Sequence, residues 1–150
     1  MPIFINLWFF VELVKELKAA TGIASAACFK HVSPAGAAIA KQLDSTFLKS
    51  QFISEKNLSP VSTAYIRARG GDRMCAFGDA AAVSETVDVS LANIIKAEVS
   101  DLIIAPNYDQ EAVEMVKLRL QMAKSSVKKY QAAERYVNQD GRAKGLFQFY

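Results

Sequence analysis

Short apolar runs alternate with helix-patterned stretches along this chain, and no other feature constrains its fold as much. Strands separated by helices close into one sheet with helices packed on its faces. The runs are Ala26 to Val32, Arg73 to Phe77, which ends at Gly78-Asp79, and Leu102 to Ala105, which is closed by Pro106-Asn107. Between them lie segments with helical spacing. Leu7, Phe10, Val11, Val14 and Leu17 form one apolar stripe within Leu7 to Ala20, and Gly22 follows as a terminator. The expected architecture is a layered α/β domain, a mostly parallel or mixed sheet flanked by helices.

Start signals refine that outline. Ser33-Pro34 reads as a cap followed by a first-turn proline, opening a small-residue helix over Ala35 to Leu43. Lys30-His31 then falls at a strand-to-helix junction. Asp44 to Leu58 is polar and reads as helix remnant and loop. Ser59-Pro60 repeats the start signal for a helix through Tyr65 to Arg69 that stops at Gly70-Gly71. Ser84 and Ser90 are candidate caps for a helical stretch with Leu91, Ile94, Ile95 and Val99, and Asp109 opens a helix running to about Val137.

With 51% hydrophobic and 22% charged residues among 150, the chain has the composition of one soluble globular domain. Its first ten residues are apolar, but no basic segment precedes them and Glu12, Lys15 and Glu16 follow at once, so a signal peptide and a membrane span are both poor fits. A cytosolic protein is expected. Cys28 and Cys75 stand far apart and there is one histidine, which excludes the usual zinc spacings and argues for two buried, reduced thiols. Residues 1–116 carry 10 Lys/Arg against 13 Asp/Glu, whereas residues 117–150 carry 8 against 2. The basic tail reads as a solvated helix face in preference to a contact with nucleic acid or an acidic partner, and its last residues, Gly141 to Tyr150, as a disordered or non-native end.

Two clusters carry candidate chemistry. A histidine at the start of a helix, beyond a strand's carboxyl end, sits where ligands bind in α/β sheets; the helix dipole and Lys30 beside it would both disfavour imidazolium. A neutral His31 can act as a base near pH 7, and Lys30 can stabilise a developing oxyanion; a structural histidine and a surface lysine are the plainer alternatives. Arg67, Arg69 and Arg73 around Gly70-Gly71 either hold an anion or form a helix cap with ion pairs to Asp72 and Asp79. Asp101, just before an apolar run, is a turn residue or a ligand acceptor.

Together these blocks acquire a specific meaning. Phe29-Lys30-His31-Val32-Ser33-Pro34-Ala35-Gly36-Ala37-Ala38 is similar to the signature of AICAR transformylases, the formyltransferase half of a bifunctional purine-biosynthesis enzyme that also closes the ring to IMP. Leu13-Val14-Lys15-Glu16-Leu17, Ala64-Tyr65, Arg67-Ala68-Arg69-Gly70, Asp72-Arg73-Met74, Phe77-Gly78-Asp79, Val99-Ser100-Asp101 and Ile103-Ile104-Ala105-Pro106 resemble further blocks of that family, in the same order. The resemblance covers about residues 3–116, a partial formyltransferase domain, and leaves 117–150 as a basic helical or disordered tail. It implies a cytidine-deaminase-like α/β fold and formyl transfer from 10-formyltetrahydrofolate to the 5-amino group of the AICAR nucleotide, without a catalytic metal. It also implies a homodimer. By position in the motif, His31 is the implied proton acceptor, Lys30 the implied transition-state stabiliser, and Gly78 and Asp101 the implied nucleotide contacts.

The sequence departs from the family in three respects. The segment around Trp8-Phe9-Phe10 is shortened, nothing corresponds to the cyclohydrolase domain, and the later half that supplies most folate contacts is missing. The expected chain is therefore incomplete as a catalyst and exposes apolar surface. The competing reading is a non-catalytic nucleotide-binding or dimerisation fragment, and a further one a truncated product with no role of its own.

Overall fold

A computed structural model describes residues 4–31, 33–54, 57–122 and 146–148 of the chain, with side chains described between residues 9 and 116. The chain begins with helix α1 (Phe4–Thr21), which ends where Gly22 takes a left-handed φ of 69° and its N–H donates to the Lys18 carbonyl at 2.7 Å. Strands β1 (Ser25–Lys30) and β2 (Ser33–Ile39) come next as an antiparallel hairpin. After a short helix α2 (Ser45–Ser50), capped by Asp44, come α3 (Pro60–Gly70), β3 (Asp79–Val83), α4 (Val89–Ala97), β4 (Ser100–Ile104), α5 (Gln110–Met122) and a short β5 (Leu146–Gln148).

The sheet order is β2-β1-β3-β4-β5. Among the described strands β3 and β4, joined through α4, run parallel; β1 pairs antiparallel with both β2 and β3, and β4 with β5. This is the mixed α/β sheet flanked by helices that the alternation of runs predicts. Period-two alternation divides its side chains between two cores. Ala26, Cys28, Ala81, Val83 and Ile103 face α3, α4 and α5, where Val61, Tyr65, Leu91, Ile95 and Val116 close the larger core. Ala27, Phe29, Ala82, Leu102 and Ile104 face α1, which contributes Phe10 and Val14. The Phe10 and Phe29 rings stack with centroids 3.8 Å apart, anchoring α1 to β1.

Several local expectations are corrected. Ser33-Pro34 opens a strand, and Ala35 to Ile39 continues it, so no helix begins there. β2 is the sheet edge beside β1, where proline's missing N–H costs no ladder bond, so the same dipeptide serves an edge strand as well as a helix start. Gly36 lies under α3, where an added Cβ would collide with the Ala68 carbonyl, and Arg67 ties the same strand down by donating to the Ile39 carbonyl at 2.6 Å. Arg73 to Phe77 is a run of turns, and the strand begins only at Asp79. There the Asp72 carboxylate accepts from the Cys75 N–H at 3.0 Å, and the Ala76 N–H donates to the Asp72 carbonyl, also at 3.0 Å. Finally, Cys28 is buried as expected but Cys75 is exposed.

The second Ser-Pro signal holds. Ser59 caps α3 by accepting from the Ser62 N–H at 3.2 Å, with Pro60 in the first turn. The cap of α4 is Asp88, not Ser84 or Ser90, accepting from the Leu91 N–H at 2.8 Å; Ser90 instead joins the hydroxyls of Ser59 and Ser62 between the two helices. Val99 lies beyond α4 and is exposed. The expected course of α5 beyond Met122, to about Val137, lies outside the described residues. Phe52, Met74 and Phe77 are largely exposed. Among the described residues no helix is long and apolar enough to cross a membrane.

Candidate active site

Lys30 ends β1, and because β3 runs antiparallel to β1 and parallel to β4, that end meets the amino ends of β3 and β4. The expectation of a site beyond strand carboxyl ends therefore holds for β1 alone. The Lys30 ammonium donates to the carbonyl of Phe77 at 2.6 Å and to that of Gly78 at 3.2 Å. Gly78 has a φ of 68°, a conformation that costs glycine little and other residues more, and its N–H donates to the Val99 carbonyl at 3.0 Å. A Cβ placed on Gly78 would stand 3.3 Å from Lys30 Nζ and 3.5 and 3.8 Å from the Asp101 carboxylate oxygens. Three of the four residues singled out in the sequence thus come from separate strand ends to one point.

Asp101 reaches that point through an irregularity in the sheet. Asp79 pairs with Ser100 but Ala80 pairs with Leu102, so Asp101 is an extra, unpaired residue on β4. It is exposed, whereas Ser100 and Leu102 on either side are buried. Such bulges turn a side chain out of the ladder and concentrate beside active sites.

His31 occupies the hairpin turn after Lys30, exposed, with a φ of 56°. Since no helix starts at Ser33, the helix dipole expected to act on His31 has no source. Left-handed backbone at a non-glycine residue is uncommon, although histidine adopts it more readily than most. The conformation turns the chain sharply at the rim of the cluster formed by Lys30, Gly78 and Asp101.

The arginines do not line the site. Arg69 and Arg73 form ion pairs, and Arg67 donates to the Ile39 carbonyl. Arg69 is 3% exposed and its Nη1 lies 2.9 Å from Asp79 Oδ1, itself fully buried, though off the line of a hydrogen bond. Arg69 Nε lies 3.2 Å from Glu98 Oε2, and Arg73 Nη2 lies 2.7 Å from Glu98 Oε1. Of the two expected ion-pair partners, Asp79 is used and Asp72 is not. Glu98 carries no sequence signal of its role, since one acid between Ala97 and Val99 does not announce burial. Burial pushes the Cys28 thiol well above its ordinary range, and neighbouring Asp79 adds to the shift; burial followed by Asp79 does the same to the Tyr65 hydroxyl. Among the described residues no group of three or more His, Cys, Asp or Glu could hold a metal ion.

A family model described as the AICARFT/IMPCHase bienzyme matches residues 7–146, a range that contains all four site residues. The bifunctional purine biosynthesis protein PurH of Deinococcus radiodurans is 32% identical over 103 residues, 69% of this chain and 17% of that protein. PurH of Thermoanaerobacter is 29% identical over 107 residues, 71% of this chain and again 17% of the relative. A DNA polymerase of Bacillus phage SP02 is also similar, 38% identical over 66 residues that make up 44% of this chain and 10% of that one. The chain thus spans about a sixth of the length of the PurH relatives it matches. On the match over residues 7–146, the chain belongs to the AICARFT/IMPCHase bienzyme family.

Proposed function

We propose that this chain carries the nucleotide side of an AICAR formyltransferase site, which moves a formyl group from 10-formyltetrahydrofolate to the 5-amino group of AICAR in purine biosynthesis. The observation that carries the reading is the convergence of Lys30, Gly78 and Asp101 from three strand ends. Family membership supports the same reaction class.

The 5-amino group is a poor nucleophile because its lone pair is conjugated with the ring and carboxamide. As its nitrogen bonds to the formyl carbon, it must lose a proton, and His31 at the exposed turn accepts it. The bond from the formyl carbon to folate N10 breaks, and N10 leaves with the proton that His31 hands on. Negative charge builds on the formyl oxygen meanwhile. An ammonium has three N–H donors, and two of those on Lys30 are engaged by the Phe77 and Gly78 carbonyls, which leaves one for that oxygen. Gly78 admits the nucleotide close to the backbone, and the Asp101 carboxylate accepts from a donor on it.

Residues 1–116 form part of the formyltransferase domain in this proposal, and 117–150 a basic appendage. The folate contacts, the partner subunit of a homodimer and a cytosolic setting belong to the same proposal. Since the chain is a small part of the relatives' length, binding is the direct test. Calorimetric titration with AICAR should give a measurable heat that Asp101→Ala and His31→Ala each weaken, Asp101→Ala by about tenfold for one lost charge-assisted bond. A folded chain that gives no heat with AICAR would overturn the proposal.

A further inference from the structure

We infer that Arg69 is a positioning residue that pins the bulge at Asp101 and thereby holds the Lys30, Gly78 and Asp101 cluster together. A bulge between parallel strands is uncommon and disrupts the ladder locally, so something other than the ladder must fix it. Arg69 reaches both of its sides. On the β3 side it pairs with Asp79, the residue after Gly78, at 2.9 Å; on the β4 side its Nη2 donates to the Val99 carbonyl, two residues before Asp101, at 3.2 Å. That carbonyl also accepts from the Gly78 N–H at 3.0 Å, so one oxygen links the guanidinium to the backbone of the site. A third contact, Arg69 Nε to Glu98 Oε2 at 3.2 Å, draws in the segment leading to β4.

The chemistry of the side chain suits this task. A guanidinium spreads its charge over a planar fork, which here lies between two carboxylates as an ion pair with each and donates one hydrogen bond to a carbonyl, and a lysine ammonium on a flexible stem does not reproduce that. Buried at 3% exposure, Arg69 acts on the Gly78 and Asp101 segments through Asp79 and the Val99 carbonyl. Ser100 assists, donating from its hydroxyl to the Asp79 carbonyl at 3.2 Å across the same irregularity.

The value of this positioning for binding rests on the proposed AICAR reading, but the positioning itself does not. Arg69→Lys keeps the charge and loses the fork. In its amide NMR spectrum the Gly78 and Asp101 resonances should move and Gly78 hydrogen exchange should quicken by about tenfold or more, while those of Ala37 and Ala38 in the β1–β2 hairpin stay in place. AICAR affinity should fall with them, and Glu98→Gln, which leaves the Asp79 and Val99 contacts intact, should do much less. An Arg69→Lys chain with unmoved Gly78 and Asp101 resonances would overturn the inference. If the wild type binds no AICAR, the functional proposal falls while the resonances still decide this one. Should Arg69→Lys not fold, the wild type decides: cross-relaxation between the Arg69 guanidinium protons and the Gly78 amide is expected, because both address one carbonyl, and its absence would overturn the inference.

Discussion

At the residue scale, the site depends on one glycine more than on any charged group. Gly78 has a left-handed backbone and stands where a Cβ would press on Lys30 Nζ at 3.3 Å. Gly78→Ala is expected to lower stability by about 1–2 kcal/mol from backbone strain and to displace the lysine; thermal unfolding measures the first and the Lys30 side-chain NMR signals the second. Wild-type stability in that variant would show that the backbone relaxes. Lys30 and His31 are legible as candidate chemistry from their neighbours in the chain. Asp101 is not: sequence physics favours a turn residue there, and only the family resemblance singles it out. Its exposure arises from a missing pairing in the ladder, a property of two strands that neither strand's sequence displays.

At the element scale, the sequence signals divide by the distance over which they act. Caps are local: Ser59 and Pro60 start α3 with bonds to groups three residues away, and the helix forms where its sequence predicts. Ser33-Pro34 carries the same pair of residues, yet starts an edge strand because Ala35 to Ile39 is sandwiched between β1 and α3. Ala35 to Ala40 has the composition of a helix, but Gly36 must pass beneath the Ala68 carbonyl, and a strand is what that space admits. Gly36→Ala is expected to destabilise by about 2–3 kcal/mol, as overpacking against backbone does, and urea unfolding checks it. A cost below about 0.5 kcal/mol would mean that α3 and β2 separate freely. Arg73 to Phe77 departs from its strand pattern for a different reason. Its apolar residues Met74 and Phe77 are exposed on turns, so their hydrophobicity reports unburied surface and not a core strand.

At the scale of the whole molecule, acids whose pKa burial raises, Cys28 and Tyr65 foremost and Tyr108 as well, set an alkaline limit. Cys28 and Tyr65 have folded-state pKa values raised by burial first and Asp79 next, so each stays protonated in the fold at pH values where the unfolded chain ionises. A raised folded pKa contributes stability in full below the unfolded pKa and loses it as pH climbs towards the folded one. Unfolding free energy should therefore decline above about pH 9 by up to ~1.4 kcal/mol per pH unit for Cys28, with Tyr65 adding above about pH 10. Urea midpoints at pH 7, 9 and 10 measure it, and Cys28→Ala should flatten the first part of the decline. An unchanged slope in that variant would assign the loss to other groups.

The sequence by itself determined the α/β class, the start of α3, the end of α1 at Gly22 and the placing of Lys30-His31 at the end of a strand, because periodicity, capping and short apolar runs act over a few residues. Tertiary structure decided the rest. It made a hairpin of an expected strand and helix, buried Arg69 against Asp79 and Glu98, and turned Asp101 out of the ladder towards Gly78. Each of those outcomes depends on which strand lies beside which, and strand neighbours are selected by burial and backbone pairing across the whole sheet.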